Sequence, residues 1–125
     1  MLTVDEVARP VKGRESLTIK DGRRTVIVPA REIDWIEATD YYARVHTAGR
    51  SYLVRESLKS LAETLDPDRF VRAHRSALVN VERVREIEKR ASGDVVAVLD
   101  NGRHVRVSRS SPLLSRHSLH RSSPH

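Results

Sequence analysis

Most of the chain alternates hydrophobic and polar positions with the period of a strand. Leu17 and Ile19 alternate with polar neighbours, Asp21-Gly22 supplies a hairpin turn, and Thr25-Val26-Ile27-Val28 returns until Pro29 stops it. Ile33-Asp34-Trp35-Ile36-Glu37 starts another apolar run, with Trp35 its large core residue. Tyr42 to Thr47 pairs across Ala48-Gly49-Arg50 with Ser51 to Arg55. A helix follows: Ser57 can cap it, Leu58, Leu61 and Leu65 fall on one face, and Asp66-Pro67-Asp68 ends it. Val84 to Glu88 and Val95 to Leu99 read as strands, and Asp100-Asn101-Gly102 turns the second into Arg103 to Ser108. Alternation there sends Val105 and Val107 to one face and His104, Arg106 and Ser108 to the other. Ser111 and Pro112 have the chemistry to open a short terminal helix.

The most informative stretch is Phe70 to Asn80. Arg72, His74, Arg75 and Ser76 sit between two apolar anchors, Phe70-Val71 and Leu78-Val79, which fixes a basic turn to the core. Val105-Arg106-Val107-Ser108-Arg109 is a second basic element at the end of a hairpin strand. Arginines held on scaffolded β-structure suit an anion of repeating geometry, and nucleic acid is the commonest one. The overall expectation is a mainly β domain with one or two short helices. It has no long recognition helix, so contacts to DNA should come from loops and strand ends.

At 125 residues the chain suits one domain. It divides into a linker-like segment 1–14, a domain 15–114, and a basic Ser/His/Arg tail 115–125 expected to fray. Lys and Arg number 23 against 17 acids, a net +6, and the five arginines after Asp100 (103, 106, 109, 116 and 121) meet no acid there. That concentration favours a polyanion, although charge alone does not separate such a partner from a solubilising tail. There is no cysteine, no membrane-length apolar run and no leader pattern, so a cytoplasmic location is expected.

Catalysis finds no support in the pattern. Of the six histidines, His117, His120 and His125 crowd the end without a cysteine or carboxylate pair to complete a metal site, so no metal or other cofactor is expected. No phosphate-cradling glycine loop or nucleophile motif occurs. Two other binding classes remain as alternatives: a β-rich single-strand nucleic-acid or RNA binder, which the 4% aromatic content disfavours, and an interaction module for an acidic protein.

From Leu17 to Leu114 the chain resembles the LytTR family of bacterial DNA-binding domains. The resemblance rests on Ile36-Glu37-Ala38 followed by Tyr42, the helix start at Leu58, Phe70-Val71-Arg72-Ala73-His74-Arg75-Ser76 with Val79-Asn80, and Leu99-Asp100-Asn101-Gly102 leading into Val107-Ser108-Arg109. Each piece is weak alone; their order and spacing carry the match. It implies a fold of elongated antiparallel sheets with small helices, and sequence-specific double-stranded DNA binding in transcription regulation, as the output domain of a two-component response regulator. Loops would read imperfect direct repeats in promoters through successive major grooves. Two copies would sit on DNA and a monomer or weak dimer in solution, with a receiver or sensor domain outside this chain as partner. The reading loops implied are Asp40-Tyr41-Tyr42 with Arg44, His74-Arg75-Ser76, and Ser108-Arg109-Ser110.

On these grounds the expected DNA-contacting residues are Arg75, Arg109, His74, Arg106, Tyr42, Arg44, Ser110 and Lys59. Arg75 and Arg109 rank first because a guanidinium fork fits guanine or phosphate bidentately; the competing reading of each is a structural ion pair. His74 can donate to a phosphate or brace its own turn, and bracing is preferred. Tyr42 can touch DNA or pack half-buried. Lys59 and Arg44 are expected on the backbone. The chain departs from the family pattern at Ala73, often a larger apolar residue, at Ser110, often basic, and at Arg106, often proline. The half-site sequence is thereby left open.

Overall fold

Alternating burial sorts the strands onto two cores that share one sheet. The computed structural model describes residues 13–115. The strands are β1 (Ser16–Asp21), β2 (Arg24–Pro29), β3 (Ile33–Ala38), β4 (Ala43–Thr47), β5 (Ser51–Val54), β6 (Phe70–His74), β7 (Ala77–Asn80), β8 (Val84–Lys89), β9 (Val95–Leu99) and β10 (His104–Val107), with helix α1 (Leu58–Thr64) between β5 and β6. They form three antiparallel sheets: a β1-β2 hairpin, a five-stranded sheet ordered β5-β4-β3-β7-β6, and a meander ordered β10-β9-β8. This is the mainly β, antiparallel architecture that the alternation predicts.

The five-stranded sheet is the middle layer. Ile36, Val45, Phe70 and Leu78 face Leu17, Ile19 and Val28 of the hairpin and Leu58, Leu61 and Leu65 of the helix segment. Trp35, Val71, Ala73 and Val79 face Ala97, Leu99, Val105 and Val107 of the meander. Each fully buried Leu or Ile contributes about 1.5–3 kcal/mol, so neither layer holds without its neighbour. Trp35 and Phe70 are both core, as expected. In β10 the buried positions are Val105 and Val107, while His104 and Arg106 are exposed.

Helix α1 starts where Ser57 is extended and its side chain accepts the Ser60 N–H at 3.0 Å. A cap of this kind stabilises by about 1 kcal/mol. Extended Leu65 ends the helix, and Asp66 Oδ1 then accepts the Asp68 N–H at 2.8 Å. Gly13 and Arg14 dock against this helix end. Gly13 has φ +125°, and a Cβ there would lie 2.6 Å from the Asp66 nitrogen. Arg14 donates its N–H to the Thr64 carbonyl at 2.7 Å and its guanidinium to Glu56 at 2.7 Å. The rest of the linker-like start and the tail beyond Ser115 lie outside the described residues, as do the three terminal histidines.

Two short 3-10 turns, Ala30–Glu32 and Val81–Arg83, were not legible as periodicity. Asn80 organises the second of them. Wholly buried, it donates Nδ2 to the Ile33 carbonyl at 2.9 Å and accepts the Glu82 N–H at 3.0 Å. Asn80→Ala therefore strands a buried carbonyl and an N–H, and should lower unfolding free energy by about 2–4 kcal/mol. Urea denaturation with an unchanged slope checks this.

Asp34 is a group whose acidity the fold clearly moves. Burial raises its pKa above the usual carboxylate value; Arg83, whose Nε lies 3.4 Å from Oδ1, opposes the shift without cancelling it, and Asp100 reinforces it. The native state thus holds this proton more readily than the unfolded chain. Stability from this site is lost as pH rises above the unfolded value of about 3.9. Asp34→Asn should raise the Tm at pH 7, with the gain shrinking as the medium is acidified towards that value. A lower Tm at pH 7 would mean that pairing with Arg83 outweighs burial.

Candidate nucleic-acid interface

Antiparallel pairing decides where the basic turns go. The end of β3, the start of β4, the ends of β5 and β6 and the start of β7 lie on one edge of the five-stranded sheet. The first and second expected loops share that edge. The Ala38 N–H donates to the Ser76 carbonyl at 2.9 Å, joining them directly. The third loop belongs to the other sheet, and the Ser108 N–H donates to the Ala73 carbonyl at 2.7 Å to bring it alongside. The three turns thus form one chain of hydrogen-bonded neighbours with His74-Arg75-Ser76 in the middle.

In the first turn Thr39 closes the loop. Its N–H and hydroxyl both donate to the Tyr42 carbonyl, at 2.8 and 2.9 Å. Tyr42 is half-buried with the Arg55 guanidinium 5.7 Å from its ring centre, while neighbouring Tyr41 is 86% exposed. The exposed aromatic of this turn is therefore Tyr41. Arg44 lies half-buried in β4, opposite Glu37 and Leu53, and Lys59 is exposed in the first turn of α1. Ser57 and Leu58 line a hollow with Asp40, Tyr41 and Tyr42, so the start of α1 flanks this loop.

In the second turn the side chains divide into braces and a free arm. His74 Nδ1 lies 3.0 Å from Ser76 Oγ and accepts the Ser76 N–H at 3.3 Å. Arg72 turns back and donates to the Arg75 carbonyl at 3.1 Å. Arg75 is exposed, and no carboxylate pairs with it among the described residues.

The third turn is built from serines. Ser108 Oγ accepts the Ser110 N–H at 3.2 Å and lies 3.0 Å from Ser110 Oγ. Ser111, buried, donates Oγ to the Arg72 carbonyl at 2.6 Å and accepts the Leu113 N–H at 3.0 Å, capping the helical turn at 112–115. Arg109 points over the β8–β9 turn, with a long 3.5 Å contact to the Gly93 carbonyl, and pairs with no carboxylate among the described residues. His74, Arg75, Arg106 and Arg109 line one open cleft with Gly93 and Asp94. Arg106 approaches Asp94 only at 3.9 Å, both side chains being mostly exposed.

Of the expected residues, Arg75, His74, Arg106 and Arg109 are brought together at this cleft, with Ser110 in the adjoining turn. Tyr42 lines the hollow at the first loop instead, Arg44 lies in β4 and Lys59 in the first turn of α1, and none of these three lines the cleft. The β8–β9 turn, with Gly93 and Asp94, is a member that motif reading overlooked. Ser92-Gly93-Asp94 between two strands is a turn signal, and a three-strand meander puts that turn at the end where its third strand exits. Among the described residues no three His, Cys, Asp or Glu side chains converge as a metal site, and no helix is long and apolar enough to cross a membrane.

Basic turns ranked along one edge of stacked antiparallel sheets define a β-rich nucleic-acid-binding module. The chain belongs to the LytTr DNA-binding domain family, whose sequence profile matches residues 23–113. It is 40% identical over 81 residues to the CO-responsive transcriptional regulator RcoM of Rhodospirillum rubrum, covering 65% of this chain and 34% of that protein. It is 30% identical over 98 residues to the sensory transduction protein LytT of Bacillus subtilis, covering 78% and 41%. The chain therefore spans well under half the length of these curated relatives. The LytTr DNA-binding domain of a methyl-accepting/DNA response regulator from Bacillus cereus superposes with a TM-score of 0.74 at 29% identity, covering 86% of this chain and 98% of that one.

The tie between the second and third turns is testable by itself. Ser111→Ala deletes both its donor to the Arg72 carbonyl and the cap of the final helical turn. A stability loss of about 1–2 kcal/mol is expected in urea denaturation.

Proposed function

We propose that residues 15–114 form a sequence-specific duplex-DNA-binding unit that regulates transcription in the cytoplasm. It reads imperfect direct repeats with one copy of the domain on each. The observation that carries this reading is the hydrogen-bonded row of three turns, from which Arg75 and Arg109 project without a carboxylate partner among the described residues. Each has the fork geometry for guanine O6 and N7, a contact that discriminates by about 1–3 kcal/mol. His74, braced through Nδ1, stiffens the middle turn and can offer Nε2 to a phosphate. Arg106 and Ser110 support the third turn. Lys59, Arg44 and Tyr42 serve the phosphate backbone. The signal comes from a receiver or sensor domain, as the names of several relatives suggest for those proteins.

Selection from random duplexes, read at two salt concentrations, tests the proposal. Two spaced copies of one motif in the same orientation are expected to be enriched. Contact with about 5 phosphates gives a log–log salt slope near −4 to −5. Arg109→Ala and Arg75→Ala should each weaken the selected site by about 1–3 kcal/mol and relax preference at different base steps. Lys59→Ala should weaken selected and scrambled duplexes alike. Binding that fades with salt while no motif is enriched would leave a generic polyanion binder instead.

A further inference from the structure

One acid stands inside the basic cleft, and the fold does not need its charge. Asp94 lines the cleft with His74, Arg75, Arg106 and Arg109, and its side chain is 56% exposed. The β8–β9 turn that delivers it is closed by main-chain bonds, from the Arg90 N–H to the Asp94 carbonyl and from the Gly93 N–H to the Arg90 carbonyl, each 2.8 Å. Gly93, at φ +98°, provides the left-handed residue that the turn requires. The carboxylate itself accepts the Ser92 hydroxyl at 3.1 Å and approaches Arg106 at 3.9 Å, too far for a hydrogen bond. An asparagine can keep the Ser92 contact, so charge and turn geometry are separable here.

A carboxylate in this place repels phosphate and attracts guanidinium groups. Attachment to unrelated sequence rests almost wholly on phosphate charge, so it suffers the repulsion in full. A complex that also uses base edges recovers part of it, because the carboxylate can accept from a cytosine amino group in the major groove. We infer that Asp94 is a specificity-determining residue of the reading edge, weakening indiscriminate attachment more than binding to the cognate site. This rests on the duplex-reading function proposed above.

The test uses the whole 125-residue chain and two probes: the duplex enriched by selection, and a scrambled duplex of the same length and composition. Asp94→Asn should tighten binding to the scrambled duplex about three- to fivefold near 0.1 M salt, the effect of removing one nearby charge through water. Binding to the selected duplex should gain less, so discrimination falls. The gain on scrambled DNA should shrink as salt rises. Asp94→Glu keeps the charge and should keep discrimination close to wild type. Equal gains on both probes, no change on either, or lost discrimination in Asp94→Glu with an unchanged circular dichroism spectrum would each overturn the inference while leaving the parent reading intact. A wild-type chain with no preference between the probes would overturn both.

Discussion

The arrangement of the reading edge depends on how the free side of β6 is closed. β6 is an outer strand of the five-stranded sheet, and an open edge offers unpaired carbonyls and N–H groups. Near its end the register slips: Arg72 opposes Leu78 and His74 opposes Ala77, leaving Ala73 as the extra residue of a bulge. The Ala73 carbonyl accepts the Ser108 N–H, and the Arg72 carbonyl accepts the Ser111 hydroxyl. Two carbonyls of the edge strand thus bind the exit of β10, and the meander is locked to the central sheet where the arginines emerge. The Ala73 side chain, fully buried against the meander, occupies little room at that junction. Its small size fits a close approach of β10 to β6.

The two-sided burial of the central sheet makes that lock rigid. β7 runs Ala77-Leu78-Val79-Asn80, all buried, with Leu78 in one core and Ala77 and Val79 in the other. A strand so held cannot slip by one residue without exchanging its faces between the two cores. The turn at its start, with Arg75, is therefore fixed in register by apolar packing. A site on such a scaffold presents its side chains with little of the ordering cost that a free loop incurs on binding.

Eight of the ten strands, the turns at Asp21-Gly22, Ala48-Gly49-Arg50 and Asp100-Asn101-Gly102, the helix cap at Ser57 and the terminal cap at Ser111 were readable, because each depends on local periodicity or on a side chain two or three residues from its partner; β6 and β7 were legible only as apolar anchors of a basic turn. The basic turns could be named from sequence, and so could a bracing role for His74 and the ranking of Arg75 as a contact. What the string does not contain is the partner of Arg72, whose guanidinium donates to the Arg75 carbonyl beside the bulge at the end of β6. Tyr41 and Tyr42 are the same case: whichever residue Arg55 covers is decided by the pairing of β4 with β5, which no single-strand pattern contains. The order β5-β4-β3-β7-β6 was equally hidden, since β7 joins β3 across a long stretch of chain through matched apolar faces. Short 3-10 turns escape because three residues cannot establish a period.

The basic end of the chain is likewise not a single surface. Five arginines after Asp100 read as one cationic block, yet the fold splits the three that lie among the described residues. Arg103 sits at the far end of β10, its guanidinium 5.1 Å from the Trp35 ring centre, on the ring system that His46 also stacks against at 4.6 Å. It fastens the meander to the central sheet at the pole opposite the cleft. Arg106 and Arg109, three and six residues on, reach the reading edge instead, because a short strand carries the chain from one pole to the other. Net charge therefore says little about this surface. What distinguishes the cleft is that arginines from two separate sheets converge around a single acid, whereas at other places in the fold Arg14, Arg50 and Arg69 each have a carboxylate within 3.3 Å. Arginines left without close partners remain available to a ligand, and a polyanion is the ligand that such a row would satisfy.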